Sequence, residues 1–170
     1  MLDYLSRCHD QLEMNRTPPI ENAREKTHAN SILRGFDRAG FANARIAAGL
    51  TVRELGNRAG VDRAAIVRWE SGQCLPLVSS LSLCAAAMAK RVDDFLTVPE
   101  SEQTLADLRM VTGLTQVKLC ERTGLSRKVL GTLERGRGQL TDQRIEVLAD
   151  ALKVSHQAIR GAHKRSAILT

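Results

Sequence analysis

The sequence predicts an all-α fold in which one helical unit is used twice behind an N-terminal helical extension. Three observations carry this. Aromatic residues are only 3% of the 170 and proline occurs four times, too little for an all-β chain. Ala, Leu and Arg, which favour helix, are abundant. The chain also resembles itself at a fixed offset of 64 residues. The expected organisation is an extension over 1–40, a first unit over 41–96, and a connection over 97–103. A second unit over 104–160 and a basic tail over 161–170 follow.

Shifted by 64 positions, Arg45 to Met88 aligns with Arg109 to Leu152 without a gap, and 12 of the 44 pairs are identical. The shared residues include Arg45, Gly49, Leu50, Thr51, Leu55, Gly60, Arg63, Glu70 and Gly72. Elsewhere apolar character persists: Val61 pairs with Leu125, Ile66 with Leu130, Trp69 with Leu133 and Leu81 with Ile145. Trp69 therefore reads as a packing residue. Cys84 and Cys120, aligned with Leu148 and Gly56, read the same way.

Each unit parses into short helices. In the first, Phe41 to Ala48 is helical and Gly49 stops it. Thr51 caps the next helix, with Glu54 three residues on completing a capping box. That helix ends before Gly60, Asp62 caps a third over Arg63 to Ser71, and Gly72 closes it. Beyond Pro76, Leu81, Cys84, Ala85 and Met88 recur at helical spacing. The second unit repeats the pattern with Gly113, Thr115, Gly124, Ser126 and Gly136. There Lys118 replaces the capping-box glutamate, so its second helix starts less firmly.

A short helix, a tight glycine turn and another short helix form a helix-turn-helix unit. Gly49-Leu50-Thr51, Leu55, Gly60-Val61, Ile66 and Arg68-Trp69-Glu70-x-Gly72 resemble the Cro/Xre-type, lambda-repressor-like helix-turn-helix family. Gly113-Leu114-Thr115-Gln116, Leu119, Gly124-Leu125-Ser126, Leu130 and Leu133-Glu134-x-Gly136 resemble it again in register. The resemblance spans about two thirds of the chain and implies two tandem DNA-binding domains.

The resemblance also implies site residues. An arginine of the family's first helix pairs with a glutamate late in the recognition helix. Arg45 and Glu70 match those positions, as do Arg109 and Glu134, 25 residues apart in both copies. A bidentate guanidinium–carboxylate pair can lock two helices at a fixed angle. The recognition helix would lie in the major groove, so the base readers would be Arg63, Ala64 and Arg68 in copy one. In copy two they would be Arg127, Lys128 and Thr132. Arginine suits guanine, whereas Ala64 offers only an apolar contact such as a thymine methyl. The two copies should then read different half-sites.

Phosphate contacts are expected at the helix ends. Gln116 stands where the family often places a phosphate-binding glutamine; Val52 holds that place in copy one, with Arg53 beside it as a substitute. Arg135 and Arg137, opposite Ser71 and Gln73, are expected to act as additional phosphate clamps. Gly131 interrupts the second recognition helix at a cost of about 1 kcal/mol relative to alanine.

Charge supports the same partner, double-stranded DNA. The net +6 divides as 0 over 1–40, +2 over 41–96 and +4 over 97–170, so the excess lies where the repeated units are. No apolar run approaches the ~18 residues of a membrane span, and Met1 to Asp10 has no apolar stretch to form a signal peptide. The expected setting is cytoplasmic. Four scattered cysteines and four histidines lack paired ligand spacing, and no acidic cluster is present. No cofactor, metal or enzymatic activity is therefore expected.

Outside the repeats, Leu5, Cys8 and Leu12 share one helical face. Thr17-Pro18-Pro19 can start a second helix with Ile32, Leu33 and Phe36 on one side. These stripes would dock on copy one or mediate homodimerisation. Ser101 is placed to cap the helix after the connection, and the segment Arg160 to Arg165 would touch phosphate or fray. The reading is a sequence-specific transcriptional regulator that contacts a composite operator. The alternative is an antitoxin- or anti-activator-like regulator whose partner is a protein and in which one copy has lost DNA binding. Contact with RNA polymerase is left open.

Overall fold

A computed structural model describes residues 33–169. Among them are nine α-helices and no strand beyond an isolated bridge. The first four are α1 (Arg38–Ala47), α2 (Val52–Ala59), α3 (Arg63–Glu70) and α4 (Val78–Ala87). After two 3-10 turns, Asp93–Phe95 and Glu100–Glu102, come α5 (Leu105–Val111), α6 (Gln116–Thr123), α7 (Arg127–Glu134), α8 (Asp142–Leu152) and α9 (His156–Ile168). Both ends of α2 and α3 recur 64 residues later in α6 and α7, so the repeat in sequence is a repeat in structure.

Local chemistry sets these boundaries. Thr51 Oγ1 accepts from the Glu54 N–H while Glu54 accepts from the Thr51 N–H, a complete capping box at α2. At α6 only the Thr115 half exists, because Lys118 cannot return the bond. Gly60 and Gly124 end α2 and α6 in the left-handed region (φ +64° and +70°), which lets the chain turn at once into α3 and α7.

Two apolar cores result. Phe41, Leu55, Ile66, Trp69, Leu81, Cys84 and Phe95 centre the first, where the Phe41 ring meets those of Phe95 and Trp69 edge-on at 5.4 and 6.2 Å. Leu105, Leu119, Leu130, Leu133, Ile145, Leu148 and Ile159 centre the second. Each fully buried large side chain contributes about 1.5–3 kcal/mol. Helix α5 belongs to both cores. Its Leu105 and Leu108 pack in the second, while Ala106 and Met110 pack in the first. Arg34, ahead of α1, adds an ion pair to Asp107 of α5 (2.9 Å). The residues expected to connect two separate units thus lead into a helix that joins them.

Three expectations are corrected. Leu33 and Phe36 are not on a helix: Phe36 bridges Leu96 and Thr97 N–H donates to Gly35 O (2.8 Å). Gly35 turns the backbone at φ +66°, and Asp37 then caps α1. The stripe of Leu5, Cys8 and Leu12, and Ile32, lie outside the described residues. Ser101 caps nothing; Thr104 caps α5, because Asp107 three residues on completes its capping box. The division at 160 falls inside α9, so residues 161–168 are helix rather than a separate tail. Ile159, Ala162 and Ser166 form its buried face, Ser166 Oγ accepts from the Leu105 N–H (3.1 Å), and Arg165 Nε donates to Gln103 O (2.8 Å). Helix α9 also crosses the end of α7, where a Cβ at Gly136 would run into the Ala167 backbone.

Candidate nucleic-acid interface

In each copy an ion pair, part-buried in the first and buried in the second, holds the recognition helix. Arg45 Nε and Nη2 donate to the two carboxylate oxygens of Glu70 at 2.7 and 2.9 Å, and Nη1 donates to Leu50 O at 2.9 Å. Arg109 repeats this on Glu134 (2.6 and 3.4 Å) and Leu114 O (2.8 Å). One guanidinium thereby ties the first helix of a copy both to the turn that follows it and to the last turn of its recognition helix. The hydrogen bonds Arg45 donates to Glu70 hold its pKa above the ordinary value against the opposing effect of burial.

With Glu70 and Glu134 turned inward beside Ile66, Trp69, Leu130 and Leu133, helical periodicity fixes what faces out. On α3 these are Ala64, Val67 and Arg68, with Arg63 at the flank. Arg63, Ala64 and Arg68 are exposed as the candidate readers require. Asp62 Oδ1 accepts from the Ala64 N–H (3.1 Å), so the start of α3 is capped. Val67, which sequence reasoning passed over, is 47% exposed between them. Arg53 is exposed in the first turn of α2.

On α7, Arg127 and Lys128 are exposed. Thr132 is half-buried and turned back: its hydroxyl donates to Lys128 O (2.7 Å), and its methyl stands against Gly138. Gln116 Nε2 donates to Glu134 Oε2 at 2.6 Å, so one amide hydrogen serves the buried lock and a single N–H is left for phosphate. The same bond draws on the oxygen that Arg109 Nη2 reaches at only 3.4 Å. Arg137 is exposed beyond the helix end. Arg135 does not extend past that end beside it. Its guanidinium folds back over Gly131, where Nη1 would lie 3.5 Å from a Cβ, and Nη2 reaches Thr132 Oγ1 at 3.5 Å.

Comparison with protein families matches residues 41–95 to a helix-turn-helix family and residues 103–160 to a second helix-turn-helix domain family. The chain carries two helix-turn-helix domains in tandem, the first of Cro/Xre type. No curated protein and no solved structure matches it. Helix-turn-helix families are DNA-binding regulators, and the two domains indicate that general function here. Within the first domain α2 and α3 form the motif, and within the second α6 and α7.

Among the described residues no three His, Cys, Asp or Glu side chains are grouped to hold a metal ion, and no helix is long and apolar enough to cross a membrane. Cys74, Cys84 and Cys120 are free thiols. Burial pushes Cys84 up to about 11, which leaves it protonated and suited to packing.

Proposed function

We propose that the chain is a sequence-specific transcriptional regulator that reads a composite DNA site with two different recognition helices. The observation that carries this reading is the arginine–glutamate–carbonyl lock repeated behind α3 and α7, combined with different residues on their outward faces. A shared mechanical frame with unlike reading surfaces is what recognition of two unlike half-sites needs. Arg63, Ala64 and Arg68 would contact bases from α3, and Arg127 and Lys128 from α7. Arg53, Gln116 and Arg137 would contact phosphate. Thr132, with its hydroxyl committed to the backbone, would supply at most its methyl to a base.

The sharing of α5 between the two cores supports a single preferred spacing, since the domains cannot separate without exposing Ala106 and Met110. Footprinting of the intact protein on duplex DNA enriched from a random library tests the proposal. Two unlike protected half-sites are expected, and protection by α7 alone would reduce the first domain to another task.

A second reading has its own support. Ile46, Val67, Leu75, Leu77 and Leu83 are large apolar side chains exposed on the first domain, against Val117 on the second and Ile168 and Leu169 at the end of α9. Val52 also replaces the glutamine found at 116. A first domain that contacts a protein while the second holds DNA would use such a surface.

A further inference from the structure

Positions 67 and 131 are equivalent in the two recognition helices, as are 71 and 135. The first copy has Val67 and Ser71, a large side chain followed one turn later by a small one. The second has Gly131 and Arg135, the reverse. The exchange is spatial as well as chemical. A Cβ placed on Gly131 would meet no core atom within 4 Å, only the Arg135 guanidinium at 3.5 and 4.0 Å. Gly131 therefore faces outward, and it is buried because Arg135 covers it. A side chain at the C-cap of a helix leans toward the helix N-terminus and lies over the turn before it, which brings the guanidinium alongside Thr132 on the side away from the core.

We propose that Arg135 is a base-reading residue directed at guanine, and that Gly131 is the slot that admits its guanidinium to the groove-facing side of α7. This rests on the reading of α7 as a recognition helix. A guanidinium on that face can donate two bonds to O6 and N7 of guanine, the geometry that distinguishes this base in the major groove. A phosphate clamp needs only positive charge near the backbone and gains nothing from a missing side chain at 131. The glycine, which weakens the helix intrinsically, then has a purpose, and the first copy, with Val67 in the slot, has no arginine to place there.

The test uses intact protein and a random duplex library. The sequence enriched by the wild type, and its single base-pair variants, are titrated with Arg135→Ala, Arg135→Lys, Gly131→Ala and Gly131→Val at two salt concentrations. Arg135→Ala is expected to lose about tenfold on the enriched duplex and to flatten preference at one base pair only. Arg135→Lys, which keeps the charge and loses the fork, should flatten the same pair. Gly131→Val should do so too, because its γ-methyls occupy the guanidinium's place, whereas Gly131→Ala should keep wild-type preference. If Gly131→Val does not fold by circular dichroism, the two Arg135 variants decide alone. Equal loss on every duplex with a shallower salt dependence, rescued by lysine, would identify a phosphate contact and overturn the proposal. If Arg127→Ala alters a base preference and Arg135→Ala does not, this inference alone falls. If neither does, α7 is not a reading helix and both readings fall.

Discussion

Arg109 and Glu134 meet at 2.6 Å in the second domain with side chains only 2% and 0% exposed, whereas Arg45 and Glu70 make the same pair at 2.7 Å with 12% and 16% exposed. One geometry is therefore held in two dielectric settings. Water reaches part of the first pair, while Gln116 adds a bond to the glutamate of the second. Removing one partner of a buried pair strands the other charge, and the penalty grows with burial.

Glu134→Ala should accordingly destabilise the protein by about 3–5 kcal/mol. Glu70→Ala should cost less, about 1.5–3 kcal/mol, the range for a hydrogen bond to a charged group. Urea titration followed by helical circular dichroism measures both. Equal losses would show that the difference in exposure has no energetic consequence.

Reading and gripping separate in a salt titration. Arg127→Ala should lose about 1–3 kcal/mol of binding and relax preference at one base pair. Arg137→Ala should weaken all duplexes alike and reduce the salt slope by about one. The assignments are reversed if base preference changes with Arg137 and not with Arg127.

Spacing should be strict. Because α5 contributes Ala106 and Met110 to the first core and Leu105 and Leu108 to the second, the domains cannot slide apart to follow a longer site. Inserting half a helical turn or a full turn, ~34 Å, between the half-sites should abolish joint binding in both cases. Retention of wild-type affinity after the full-turn insertion would mean that the domains separate on DNA.

Acid should loosen α2 in a way a single substitution reveals. Thr51 donates to Glu54 through its backbone N–H and its hydroxyl, which holds the Glu54 carboxyl below its ordinary value. A pKa depressed by folding gives stability that is present above the unfolded value and is lost as pH falls through the folded one. The stability difference between wild type and Glu54→Gln should thus be constant near neutral pH and shrink below about pH 4.3. Melting temperatures across that range check it, and a difference independent of pH would place the carboxylate outside the capping box.

Much of this arrangement was legible in the amino-acid order because its causes are local or periodic. Thr51, Asp62, Thr115 and Ser126 start helices through bonds to N–H groups two or three residues away. Glycines end them, and apolar positions recurring at helical spacing mark the two cores. The arginine–glutamate locks were visible because the family resemblance implies the pair and both copies keep its separation of 25 residues.

What tertiary structure alone decided concerns faces that meet across long separations. Residues 97–103 read as a connection, yet the helix they introduce is buried on two sides, because Ala106 and Met110 find the first core while Leu105 and Leu108 find the second. The basic segment after residue 160 read as a tail until Ser166 met the start of α5 and Gly136 made room for Ala167. Gln116 and Arg135 were expected at the DNA backbone, and packing also gives each a neighbour within the fold: one bonds Glu134 and the other lies over Gly131. A sequence specifies which groups can bond, through charge, donors and spacing along one helix. Which of several competent partners a flexible side chain takes is determined by the neighbour that packing brings within about 3 Å, and that neighbour comes from elsewhere in the fold.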